Sequence, residues 1–207
     1  MLRLARWQEV LSKFQVVSDL HVDINGFPRI SAVAPNLIIA GDLSDHWTPK
    51  VERWLSDRSR EYDQVYFVPG NHDYATRPTI DDSLNEMRDI CANTGVYLLE
   101  NGRLLKNEKI GAILIGATLW SRIPTGNLSN NFYQNHYDFK HLNFDDKTKM
   151  TIENRNQLFQ ADFDSIKQKF ENPLVEEELF ENNCVPIVIT HHAPLIQGTC
   201  LKRYYSI

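Results

Sequence analysis

Short apolar runs, each ending in polar residues, set the rhythm of this chain. Residues 14–18 (FQVVS), 37–40 (LIIA), 65–68 (VYFV) and 185–190 (VPIVIT) are rich in β-branched and aromatic side chains. They are too short for stable helices, so each is expected to be a strand, with 65–68 buried on both faces. Between them the period changes. Val51, Trp54 and Leu55 recur at helical spacing across 49–59, with Pro49 suited to the first turn, and Leu84, Met87 and Cys91 do the same across 81–92 until Gly95 stops the helix. Residues 22–35, with Gly26, Pro28 and Pro35, read as a loop holding at most one turn of helix. Residues 97–99, 103–105 and 110–115 read as short strands around a turn at Glu100, Asn101 and Gly102, and point to a second sheet facing the first.

Residues 121–149 show no sustained period, which marks a lid, a binding loop or a disordered connection. Phe159, Phe163, Ile166 and Phe170 then recur every three or four residues, so 150–170 is expected to be an amphipathic helix packing an aromatic stripe on the core. Asn172 and Pro173 break it, and 174–181 (LVEEELFE) forms a second helical piece with solvated glutamates. At the N-terminus, Leu4, Trp7, Leu11 and Phe14 lie near helical spacing with Arg3 and Arg6 among them. This start reads as a docking helix or plain extension rather than an organelle-targeting segment, and it has no signal-peptide apolar region.

Composition narrows the class. A chain of 207 residues suits one domain burying roughly 70% of its unfolded surface. The net charge of -5 provides no basic patch for a nucleic-acid backbone, which favours small substrates. Cys91, Cys184 and Cys200 are odd in number without C-x-x-C spacing, consistent with reduced, buried thiols in a cytoplasmic protein. No apolar run approaches the roughly 20 residues of a membrane span, so a soluble chain without membrane contact is expected.

The chemistry gathers where strands end: Asp19 and His21, Asp42 after Gly41, Asn71, His72 and Asp73 after Gly70, and His191 with His192. In open α/β sheets ligands bind beyond the carboxyl ends of strands, so four such ends can share one crevice. Asp19 and His21 are two residues apart and share a face if strand geometry persists; Gly41 leaves room for close backbone approach. Singly, each residue has a plainer reading. An Asp or Asn at a strand end commonly caps a turn, and Asp73 is expected to cap the segment after it. His136 and His141 read as exposed or locally bonded, and nothing in the spacing supports a substrate contact from Tyr133, Asn135 or His136.

Together the motifs DLH (19–21), GDLSD (41–45), GNHD (70–73) and THHAP (190–194) resemble, in order, the calcineurin-like metallophosphoesterase superfamily. GATLW (116–120) is similar to the subgroup with the THHAP ending. The resemblance implies an α/β fold, a sandwich of two facing mixed β-sheets flanked by helices, formed by 14–207 after an extension at 1–13. It implies two divalent ions (Mn, Fe, Zn, Ni or Co), the first held by Asp19 and His21, the second by Asn71 and His191, with Asp42 bridging. A bridging hydroxide would attack a phosphate mono- or diester, with His72 stabilising charge or protonating the leaving oxygen, Asp45 orienting His72, and His192 behind the ligands. The family pattern closes with a Gly-His-x-His segment that does not occur by Ile207. The expectation is therefore a C-terminally incomplete domain with weakened metal affinity and an open sheet edge that a partner or second copy would cover. The alternative is a non-catalytic scaffold on the same fold.

Overall fold

A computed structural model describes residues 2–123, 135–180 and 182–194; Tyr133 and Cys200 lie outside them. The elements run α1 (Leu2–Leu11), β1 (Phe14–Val17), α2 (Val22–Asn25), β2 (Asn36–Ala40), α3 (Pro49–Glu61), β3 (Gln64–Val68), a 3-10 turn (His72–Ala75) and α4 (Ile80–Thr94). After β4 (Tyr97–Leu98), β5 (Arg103–Asn107) and β6 (Ala112–Ala117) come α5 (Tyr137–His141), α6 (Ile152–Phe170), α7 (Pro173–Phe180) and β7 (Val185–Thr190).

Two sheets form. The first has the order β1-β2-β3-β4, parallel throughout; the second has the order β5-β6-β7, antiparallel at β5/β6 and parallel at β6/β7. Strand alternation sorts the side chains into layers. Leu37, Ile39, Val65 and Phe67 face Val51, Leu55, Leu84 and Met87 of α3 and α4, whereas Ile38, Ala40, Tyr66 and Val68 face Ala112, Leu114, Val185 and Ile189 of the second sheet. The outer face of that sheet packs Ile113 and Ile115 against Val175, Ile166 and Leu179. The result is helix, sheet, sheet, helix, in which β2 and β3 are apolar on both faces because both are covered.

The strand and helix expectations hold at 14–18, 37–40, 49–59, 65–68, 81–92 and 185–190, with Gly95 taking the left-handed conformation that ends α4. Residues 97–99 depart from expectation: β4 completes the first sheet, and the turn at Asn101 and Gly102 carries the chain across to the second. The aromatic stripe of α6 holds in part: Phe159 and Ile166 pack on the core, whereas Phe163 is 48% and Phe170 37% exposed while Arg155 and Asp162 are buried. Asp162 accepts the Leu119 N–H at 2.8 Å, so part of the surface beneath α6 takes a charged side chain. In α1 the buried anchor is Val10, and Arg6 Nη2 donates to the Ile110 carbonyl at 2.9 Å, while Leu4, Trp7 and Leu11 remain exposed. Cys91 and Cys184 are buried free thiols. Among the described residues no helix is long and apolar enough to cross a membrane.

The two sheets approach closely at Gly116 in β6. A β-carbon there would stand 2.3 Å from Leu99 Cβ and 2.8 Å from Val68 Cγ2, neither able to retreat from a filled core. Gly116→Ala is expected to lower the unfolding free energy by about 1–3 kcal/mol, measured by urea denaturation.

Candidate metal centre

The parallel pairing of β1 with β2 continues into the loops that leave them. Asp19 N–H donates to the Gly41 carbonyl at 3.0 Å, His21 N–H to Asp42 at 3.0 Å and Val22 N–H to Leu43 at 2.9 Å. Asp19, His21 and Asp42 hold left-handed φ values of 54°, 42° and 54°, a region uncommon outside glycine though Asp and His enter it more readily than most residues. A second clasp comes from β3. The Asp73 carboxylate, fully buried, accepts backbone N–H groups from Asp42 (2.9 Å), Leu43 (3.0 Å), Ser44 (3.0 Å) and Gly70 (2.7 Å). Asp73 therefore ties the β2 loop to the β3 loop, and does not cap the turn that follows it.

These constraints aim the Asp42 side chain between two groups. Its Oδ1 lies 3.3 Å from His191 Nε2 and accepts the His72 N–H at 3.0 Å, while Oδ2 lies 3.6 Å from His21 Nε2. Donor atoms of Asp19, His21 and Asp42 all lie within 4.8 Å of one another. Asn71 stands directly before His72, whose N–H bonds Asp42, so it belongs to the same loop end. His191 is seated by Nδ1, which meets the Ala40 carbonyl at 2.9 Å. Its ring fills the space over Gly41, where a β-carbon would come within 2.3 Å of Nδ1. Gly41, at φ 88°, thus makes room for the imidazole of His191 rather than for a ligand.

The donors fit a divalent cation. One carboxylate presents an oxygen to each of two imidazoles, Asp19 adds an exposed carboxylate, and His21 Nδ1 is buried without a hydrogen-bond partner. Oxygen and imidazole donors without thiolate suit Mn, Fe, Zn, Ni or Co.

The sequence model of the calcineurin-like phosphoesterases matches residues 12–206. The chain belongs to the calcineurin-like phosphoesterase family. An uncharacterized protein of Acanthamoeba polyphaga mimivirus is 27% identical over 91% of this chain and 70% of its own length. A crystal structure of a phosphopantetheinyl hydrolase from Mycobacterium tuberculosis shares the fold, with a TM-score of 0.55 over 87% of this chain and 68% of that one at 17% identity. Members of this phosphoesterase family use divalent metals, and the group around Asp42 offers candidate ligands.

Beside these ligands the phosphoesterase chain builds a second cluster. His72 Nδ1 meets Asp45 Oδ1 at 2.7 Å, and the hydroxyl of Tyr137 donates to Asp45 Oδ2 at 2.5 Å. The Tyr137 ring stacks on His72 with centroids 3.7 Å apart. Burial and the hydrogen bond to Asp45 raise the Tyr137 pKa far above its ordinary value, so it stays a neutral donor. His141 stacks on the other side of Tyr137. His192 lies behind the site: its N–H donates to the Thr118 carbonyl at 3.0 Å and its ring stacks on Trp120. Burial, then the charges of Arg155 and His191, push His192 down to about 3, so it is neutral.

Sequence reasoning missed Tyr137, Asp138, Arg155 and Asp162. His136, expected to be exposed or locally bonded, instead touches Arg155 at 3.1 Å through Nε2. The only available signal was a pair of charged residues, Arg155 and Asp162, seven apart on one helix and therefore on one face. Asp162 accepts the N–H of Leu119 at 2.8 Å, holding that residue at φ 50° just beyond Thr118.

Burial opposes protonation of His191, yet the hydrogen bond to Asp42 and its charge outweigh burial and lift the imidazole from 6.5 to about 9. In metal-free protein this pair stabilises fully below pH 6.5 and loses its effect as pH rises through 9. A loss on the order of 3 kcal/mol across that window is expected in chelator-treated wild type, and a flatter profile in His191→Ala, by denaturant unfolding at each pH. Gly41→Ala is expected to displace the ring of His191 and to lower both the melting temperature and the metal content of purified protein.

Proposed function

We propose that this chain is a metal-dependent phosphoesterase acting on small phosphate mono- or diesters. Asp19, His21 and Asp42 would hold one divalent ion, and Asp42, Asn71 and His191 a second. The observation that carries this reading is the sharing of Asp42, whose two oxygens face imidazoles from opposite ends of the sequence. Two ions held this way supply a nucleophile from water near neutral pH and offset charge on the phosphoryl oxygens. Three protein donors for each leave room for water and substrate.

The protein's own residues account for the rest. His72, tied through Nδ1 to Asp45, keeps Nε2 for the ester's leaving oxygen. Tyr137 holds the other oxygen of Asp45 and covers one face of the His72 ring, restricting its rotation. Substrate therefore approaches His72 beside α5, in a site of limited width. The net charge of -5 favours compact phosphate esters over long polyanions, which lack a basic track to follow.

Hydrolysis of mono- and diester model substrates should appear on adding Mn(II) to metal-stripped protein and vanish with chelator. Asp42→Ala is expected to abolish turnover together with metal retention. His72→Ala should retain metal and lose about 100-fold or more in kcat, least for substrates with good leaving groups. Mutation-insensitive turnover, or none with any of the five metals, would leave a binding scaffold on the same fold.

A further inference from the structure

A polar layer centred on buried Asp138 and Arg155, which no motif contains, lies behind Asn71. The carboxamide of Asn71 has one end that can bind a cation, its oxygen, and one that cannot, its NH2 group. Rotation by half a turn about the last side-chain bond exchanges them. Asp138 removes that freedom. Asn71 Nδ2 donates to Asp138 Oδ1 at 2.8 Å, which turns the NH2 group of Asn71 toward Asp138 and its oxygen away.

The Asp138 carboxylate is itself held in place. It is 0% exposed, and its Oδ2 lies 3.3 Å from Arg155 Nε and 3.7 Å from His136 Nδ1. Arg155 is 3% exposed, with Nη1 3.1 Å from His136 Nε2 and Nη2 3.3 Å from His192 Nε2. A buried carboxylate or guanidinium without its counter-charge is strongly unfavourable, so each keeps the other in place. His192 directly follows His191, so the layer touches the neighbours of both Asn71 and His191.

We propose that Asp138 is a positioning residue: it turns the amide of Asn71 so that its oxygen, and not its nitrogen, is presented to a divalent cation, and Arg155 locks Asp138 for that task. The proposal rests on the reading of Asn71 as a metal ligand. Asp138 acts through Asn71 and touches no substrate.

The test is a double-mutant cycle read by calorimetric titration of Mn(II) alone into metal-stripped full-length chain. Asp138→Asn is expected to weaken one of two Mn(II) sites by about 10- to 100-fold and leave the other unchanged. Asn71→Asp alone sets two carboxylates against each other and should weaken the same site. In Asn71→Asp/Asp138→Asn the donor and acceptor trade places, a carboxylate oxygen again faces the cation, and affinity should recover at least tenfold over Asn71→Asp. Arg155 still faces an amide at position 138 in the double variant, so a defect of packing alone would persist there; recovery reports orientation. The proposal falls if Asp138→Asn binds both ions as wild type does, or if the double variant is no better than Asn71→Asp. Asn71→Ala separates the two levels: unchanged Mn(II) affinity in that variant would remove Asn71 from the ligand set and the role of Asp138 with it.

Discussion

A buried carboxylate with four backbone amides around it holds the site end of this molecule together. Asp73 has no solvent contact, and a carboxylate in such a place is tolerable only when its oxygens are saturated with donors. Asp42, Leu43, Ser44 and Gly70 supply them. Burial and the charge of Asp42 press the Asp73 pKa upward, to about 7, and the amides of Ser44 and Gly70 pull it back. All four amides need an acceptor, so the clasp works through the ionised form. Without it the loop after β2, turned out of the ladder by the left-handed Asp42, would leave those donors buried and unpaired.

Everything chemical follows from where that clasp puts Asp42. Its carboxylate pKa is held below the ordinary value: burial works against ionisation, but hydrogen bonding and charge from His191 prevail, with help from His72. The same pair raises His191, so Asp42 and His191 form a preassembled ion pair that a cation would replace proton for metal. Left-handed backbone at Asp19, His21 and Asp42 is unfavourable by about 1–3 kcal/mol per residue in general, and the bonds between the β1 and β2 loops hold it in place. Three of the six described non-glycine residues with positive φ are candidate ligands, which fits a site whose geometry is imposed by its surroundings.

The long connection after β6 completes the site from outside the sheets. Tyr137 and Asp138 are adjacent on α5, yet one reaches Asp45 beside His72 and the other reaches Asn71. A five-residue helix thus touches both the candidate acid and a candidate ligand. From α6, Arg155 supports Asp138 and Asp162 supports Leu119, so an amphipathic helix buries two charges as well as part of its apolar stripe.

The sequence by itself determined the strands, the order of the motifs and the identity of the clustered donors, because strand burial leaves a local period and these donors sit beside strand ends. His72 with Asp45, and Asp42 with Asp19, His21 and His191, could be named from the motifs that carry them. Tertiary structure alone decided what stands behind them. Asp73 bonds amides some 30 residues away, Asp138 is 67 residues from Asn71, and Arg155 is 37 from His192. No periodicity encodes such pairs, since each is selected by the need to satisfy a buried charge or donor after the layers have packed. Phe163 and Phe170 show the converse: their spacing promised burial, but the inward face of α6 combines Phe159 and Ile166 with the buried Arg155 and Asp162, whose partners only the packed layers supply.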